Sequence, residues 1–138
     1  MADECIFCKI IKGEIPASKV FEDEHVLAFL DIGPVSEGHC LVVPKDHYKR
    51  LDDCPEEVAV AVVGKIGLIA KAILAATDAQ GYNLLSNNGR CAGQLVEHVH
   101  FHIIPRRPGD GVFTPWPSKE YPPGRAAELT EKIKQHIA

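Results

Sequence analysis

The stretch His98-Val99-His100-Phe101-His102-Ile103-Ile104 alternates imidazoles with apolar side chains. Alternation at period two is the pattern of a β-strand, whose successive side chains point to opposite faces. It sets Val99, Phe101 and Ile103 on one face, toward a core, and His98, His100 and His102 on the other, roughly 6–7 Å apart along the strand. Packing has no need of three imidazoles on one face. Neutral imidazole is a metal ligand, a proton carrier and a nucleophile near neutral pH. Two chemistries therefore fit the row. Either it binds a metal ion, or one histidine attacks an electrophile while its neighbours manage charge and protons.

Working upstream, Tyr82 to Ser86 reads as a strand. It enters the row through a small glycine-rich loop, Asn87-Asn88-Gly89-Arg90-Cys91-Ala92-Gly93-Gln94, of a kind that can aim backbone N–H groups at an anion. Pro55 with Glu56 and Glu57 starts a long helix running to about Ala76. Val58, Val62, Ile66, Ile69, Ile73 and Ala76 form its apolar stripe, widened by Val60, Val63 and Leu74. Gly38 to Lys45 is a strand apolar on both faces, hence central, closed by Pro44. Lys19–Glu22 and His25–Asp31 make a hairpin around Asp23-Glu24. Asp31 is either a turn acid ahead of Gly33-Pro34 or a carboxylate facing a ligand. Cys5 to Gly13 is a short helix ended by glycine, and its C-x2-C pair has metal-ligand spacing or else is a pair of buried thiols.

Past Pro105-Arg106-Arg107-Pro108 the chain is rich in Pro and Gly up to Gly124, with Trp116 placed to pack on a neighbouring surface or partner. Arg125 to Ile137 is amphipathic, with Ala126, Leu129, Ile133 and Ile137 on one stripe. No repeat or linker divides the 138 residues, so the expectation is one domain over 1–138. With 46% hydrophobic and 25% charged residues, such a chain buries a core without covalent staples. A net charge of −4 and no block of Lys or Arg count against nucleic acid as a partner. No apolar run approaches the about 18 residues of a membrane span. Met1-Ala2-Asp3-Glu4 has neither the basic start nor the apolar core of a signal peptide. The five cysteines are an odd number, and reduced thiols or metal ligands in a cytoplasmic setting are expected.

Several of these stretches coincide in order and spacing with one known pattern. They are Ile6-Phe7-Cys8-Lys9-Ile10-Ile11 with Glu14-Ile15-Pro16, Phe21-Glu22-Asp23-Glu24 through Ile32, Gly38-His39 through Pro44-Lys45, then Asn87, Gly93-Gln94 and the histidine row. Together they resemble the histidine triad family of nucleotide hydrolases and transferases, over about residues 4–107 with 108–138 as an extension. The similarity is strongest to its small Hint-like and bacterial-type zinc-binding members. The resemblance implies an α+β fold: a five-stranded antiparallel sheet, a long central helix and short N- and C-terminal helices, paired as a homodimer. It implies His100 as nucleophile toward the α-phosphorus of a purine nucleotide, giving a nucleotidyl-histidine that water hydrolyses. His102 would donate to phosphate oxygens or the leaving group, and His39 would sit behind His100 and orient it. Backbone N–H groups near Gly93 and Gln94 would hold phosphate. Asp31 would accept from ribose, and Asn87 would reach the ribose–phosphate side. Phe7, Ile10, Ile15, Phe29 and Ile32 would wall the base.

Bacterial-type members also imply structural zinc on Cys5, Cys8, His47 and His98, with no metal needed for catalysis. Histidine rather than glutamine at the third triad position favours hydrolysis over uridylyl transfer. One departure stands out: Leu95 occupies a position where the Hint branch has Ser or Thr. Leu95 and Pro105-Arg106 lean toward a dinucleoside polyphosphate, the Hint branch toward a nucleoside phosphoramidate. The alternative is a non-catalytic, zinc-stabilised nucleotide sensor or scaffold.

Overall fold

The computed structural model describes residues 4–113 and 115–137. In chain order its elements are α1 (Ile6–Ile11), β1 (Lys19–Glu22), β2 (Val26–Leu30), β3 (Cys40–Pro44), α2 (Glu56–Thr77), β4 (Gly81–Leu85), β5 (Phe101–Arg106) and α3 (Arg125–His136). The five strands form one sheet in the order β1-β2-β3-β5-β4, each neighbouring pair antiparallel. This is the expected α+β architecture. The hairpin joining β1 to β2 closes on Asp23, whose Oδ1 accepts from the N–H groups of His25 and Val26, each at 2.8 Å.

Residue parity in the strands decides what each face of the sheet carries. Val26, Ala28, Cys40, Val42, Phe101 and Ile103 are buried with α2. Leu27, Phe29, Leu41 and Val43 are buried with α1 on the other face. His102 pairs with Leu41 across β3 and β5, so it lies on the α1 face, opposite to its neighbours Phe101 and Ile103. His98, Val99 and His100 precede the paired part of β5; the row enters the sheet only at its third histidine.

Helix α2 starts at Pro55 with Glu56 and Glu57 in its first turn, where carboxylates favour the positive helix end. Its buried side is Val62, Ile66, Ile69, Ala70 and Ile73. Val60 and Val63 do not widen that stripe: they are 62% and 49% exposed, because a helical step from Ile66 turns them off the sheet-facing side. Ala76 is exposed too. By length and composition α2 could cross a membrane, a property that the count of apolar runs does not reveal; here one face packs on the sheet. Helix α3 buries no residue in its own chain, leaving Ile133 exposed on its apolar stripe.

Gly38 leads the chain into β3 with φ +93°, and a Cβ there would lie 2.8 Å from Thr77 Cγ2 and 3.3 Å from Pro105 Cγ. A side chain would meet both backbone strain and crowding. Gly38→Ala is expected to destabilise the protein by about 2–4 kcal/mol. Urea unfolding should show this as a lower midpoint with an unchanged slope.

Candidate functional site

Four side chains from distant parts of the chain converge at the N-terminal end of α1. The ligand atoms of Cys5, Cys8, His47 and His98 all lie within 4.8 Å of one another. His98 Nδ1 is 3.4 Å from Cys5 Sγ, 3.6 Å from Cys8 Sγ and 3.2 Å from His47 Nδ1. Cys8 Sγ is 3.4 Å from His47 Nδ1. A tetrahedral zinc with ordinary bond lengths has edges of about 3.3 Å between two nitrogens and about 3.6 Å between nitrogen and sulfur. The chemistry of the donors agrees. His98 is fully buried, and burial pushes its pKa down to about 4. Its Nε2–H donates to the Pro44 carbonyl at 2.8 Å, so the neutral ring carries a bare lone pair on Nδ1, aimed at the two sulfurs. The set fits a closed, structural site, and with four protein ligands it has no open position for a substrate.

The main chain of His98 serves a second purpose. Its carbonyl accepts from His100 Nδ1 at 2.7 Å. That bond assigns the proton of neutral His100 to Nδ1 and leaves the lone pair on Nε2. Burial lowers the His100 pKa, against smaller opposing effects of that bond and of Asp31. His100 is thus a neutral imidazole with an uncommitted nitrogen. Ser86 Oγ donates to the His100 carbonyl at 2.9 Å and anchors this backbone. Ser86 is not among the site residues expected from the sequence; its one signal there is a hydroxyl that ends the apolar Leu84-Leu85 pair.

Asp31, His39 and His102 form a second cluster with metal-like spacing, but its protons say otherwise. The Val35 N–H donates to His39 Nδ1 at 3.1 Å, so neutral His39 carries its proton on Nε2. Nε2–H donates to His102 Nδ1 at 2.8 Å. His102 therefore presents Nε2–H outward as a donor. A metal on His39 Nε2 would move the ring proton to Nδ1, where it would face the Val35 N–H, donor against donor. The cluster is a hydrogen-bond relay. Asp31 stands at its end, Oδ2 3.6 Å from His39 Nε2, while Oδ1 accepts from the Gly33 N–H at 2.9 Å. His39 thus orients His102, not His100 as expected; the parity that puts His102 beside β3 brings those two rings together.

Other expected contacts differ. The Gly93 and Gln94 N–H groups are already donating, to Arg90 O at 3.0 Å and Gly89 O at 3.1 Å. The Gln94 side chain is also spent, accepting from Gly89 N–H and donating to Lys49 O and Val96 O. Gln94 shapes the loop rather than offering phosphate donors. Gly93 has φ +93°, and a Cβ would lie 3.4 Å from the Asn87 amide, which donates to Gly93 O. Phe7, Ile10 and Phe29 are buried together, with Ile15 packed beside them. Ile32 stands 99% exposed, apart from that group.

The relay makes a pH prediction. Burial lowers the pKa of His39 and of His102, the latter to about 4 from 6.5. These rings are neutral in the fold and charged in the unfolded chain below about pH 6.5. Between about pH 4 and 6.5 the unfolded state binds more protons at His102, so stability falls as pH falls, by about 1.4 kcal/mol per unit from that ring, and His39 acts in the same direction. Above that window the effect is absent. Thermal melts across it should show the loss, and His102→Gln should make the slope shallower by about one proton.

Comparison with known proteins places this arrangement. The model of the HIT domain matches residues 12–109. The adenosine 5'-monophosphoramidase HNT1 of Saccharomyces cerevisiae is 47% identical over 117 residues, 84% of this chain and 72% of that protein. A crystal structure of a HIT family protein from Bacillus anthracis superposes with TM-score 0.92 at 45% identity, covering 100% of both chains. A zinc-bound histidine triad family protein from Mycobacterium smegmatis superposes with TM-score 0.77 at 35% identity, covering 99% of this chain and 100% of that one. With the domain matched, the fold shared and the histidine row in place, the chain belongs to the HIT, or histidine triad, family.

Proposed function

We propose that this protein is a nucleotide hydrolase that cleaves at the α-phosphate of a purine nucleotide conjugate through a nucleotidyl-histidine on His100. The observation that supports this most is the proton placement: Nδ1 of His100 is committed to the His98 carbonyl, which leaves Nε2 as the nucleophile. Nε2 attacks the α-phosphorus, a P–N bond forms, and the bond to the leaving group breaks. The ring becomes a phosphorylated imidazolium whose positive Nδ1–H is held by the His98 carbonyl. The leaving group takes its proton from water. Water then attacks the same phosphorus, the nucleoside monophosphate departs, and His100 returns to its neutral form. His102, neutral at working pH, donates Nε2–H to phosphoryl oxygens, a preorganised stabilisation of developing charge. Asp31 accepts from the ribose hydroxyls.

The leaving group we favour is an amine. The yeast relative is named an adenosine 5'-monophosphoramidase. Arg106, a candidate for grasping a longer polyphosphate, is held by Asp110 at 2.7 and 2.9 Å and by Asn83 at 2.8 Å. Zinc on Cys5, Cys8, His47 and His98 would supply a structural cross-link and no reacting group. Two thiolate ligands go with a reducing, cytoplasmic setting. We also infer a homodimer: β4 is an edge strand with Tyr82, Leu84 and Leu85 exposed, next to the apolar outer side of α2, and such edges are normally covered.

The test is intact-protein mass spectrometry after rapid, acid-free quenching with adenosine 5'-phosphoramidate and, separately, a diadenosine polyphosphate. The wild type should carry a nucleotidyl adduct and His100→Ala none. Absence of adduct and of turnover on both substrates would defeat the reading. Native mass of the same sample should report two chains and one zinc per chain.

A further inference from the structure

We propose that Phe7 is a positioning residue for the nucleophile, held in place by the pair of metal-ligating cysteines that flank it. The inference rests on the nucleotidyl-histidine reading above and gives Phe7 a task that a wall for the base would not require.

Phe7 lies on α1 between Cys5 and Cys8 and is 6% exposed. Its ring centroid is 5.1 Å from that of His100 with the planes at 88°, and 5.9 Å from that of His98 at 72°. One aromatic ring thus packs in T-shaped contact with both a candidate metal ligand and the proposed nucleophile. It is braced from the far side by Phe29, at 5.4 Å and 70°. The polar restraint on the His100 ring is a bond at Nδ1, which sets its tautomer but lets the ring rock about that end. The contacts on its flanks are Phe7 and His102, the latter at 5.0 Å. His102 is tied down by the relay through His39. Phe7 is tied down only as firmly as α1, a helix of 6 residues, too short to persist unaided. Apolar packing seats α1 on the sheet, and its two cysteines fix it toward the histidines: Cys5 Sγ caps the helix by accepting from the Cys8 N–H, both sulfurs meet His98, and that of Cys8 also meets His47. The four-ligand site therefore sets Phe7, and Phe7 sets the line along which His100 Nε2 meets phosphorus. Displacement of a reacting atom by about 1 Å can cost about 100-fold in rate.

The experiment compares wild type with Phe7→Leu, each loaded with zinc. Three quantities are read: the single-turnover rate of nucleotidyl-enzyme formation, the Kd for AMP, and the sharpness of the His100 Nδ1–H resonance in 15N-histidine-labelled protein. A positioning role predicts a rate lower by about 10–100-fold, a Kd within about threefold of wild type, and a broadened resonance with zinc still bound. An unchanged rate would overturn the proposal. So would a raised Kd with the rate kept, which would make Phe7 a base contact alone. If Phe7→Leu does not fold, Phe7→Met, similar in volume to leucine but unbranched and flexible, is read in the same way. A wild type that forms no adduct defeats the proposed function itself; a variant that forms adduct as fast as wild type defeats only this inference.

Discussion

His100→Ala is expected to lower turnover by on the order of 10^4-fold or more while leaving nucleotide affinity and zinc content close to wild type. The substitution removes the nitrogen proposed to attack, and neither neighbouring histidine is placed to replace it. His98 Nδ1 faces the sulfurs, and His102 Nδ1 accepts from His39. His98 keeps its own anchor, Nε2–H on the Pro44 carbonyl, so the metal ligands stay assembled. The cost to stability is a buried ring and one hydrogen bond, about 2–4 kcal/mol. His102→Ala should be milder, on the order of 10^2-fold, as expected for one lost donor to a charged transition state. Steady-state kinetics with adenosine 5'-phosphoramidate, paired with calorimetric titration of AMP, separates these outcomes.

Stripping the metal is expected to act first on stability. The four candidate ligands come from Cys5 at the cap of α1 and Cys8 within it, from the loop after β3 and from the segment entering β5, so one ion there would close three parts of the chain upon each other. Structural zinc in small sites is bound with about 10–16 kcal/mol of apparent free energy. Losing even several kcal/mol of that would lower Tm by more than about 10 °C in a chain of this size. Below the new Tm, turnover should fall by no more than the about 10–100-fold that a loosened nucleophile costs. A metal acting on the substrate would instead take activity to zero at once. Scanning calorimetry and kinetics on EDTA-treated protein, before and after zinc is returned, decide between the two. Cys8→Ala should reproduce the stripped state and resist rescue.

The split within the histidine row shows where sequence reading succeeds and where it stops. Alternation sets Val99, Phe101 and Ile103 toward a core and His98, His100 and His102 on the other face; the register with Val42, Leu41 and Cys40 bears this out for Phe101, His102 and Ile103, while His98, Val99 and His100, all buried, precede the paired strand. The C-x2-C pair, His47 and the first row histidine do converge. The apolar stripe of α2 holds at Val62, Ile66, Ile69 and Ile73, whereas Val60, Val63 and Ala76 stand exposed. Hydrophobicity alone does not say which apolar residues face the chain's own core and which remain on its surface. The loop before the row was legible as a turn, but its Gly93 and Gln94 amides close the loop itself.

Composition and periodicity suffice for local questions: where strands and helices run, which parity faces a core, and which side chains have the chemistry to ligate or attack. Proton placement depends on which groups the folded backbone brings to each ring, near or far in the chain. The tautomer of His100 depends on the His98 carbonyl two residues away, that of His98 on Pro44 54 residues away, and that of His102 on His39 63 residues away. An imidazole offers the same two nitrogens everywhere. Only the groups that folding brings within hydrogen-bond reach decide which nitrogen holds a metal, which donates and which is left to attack.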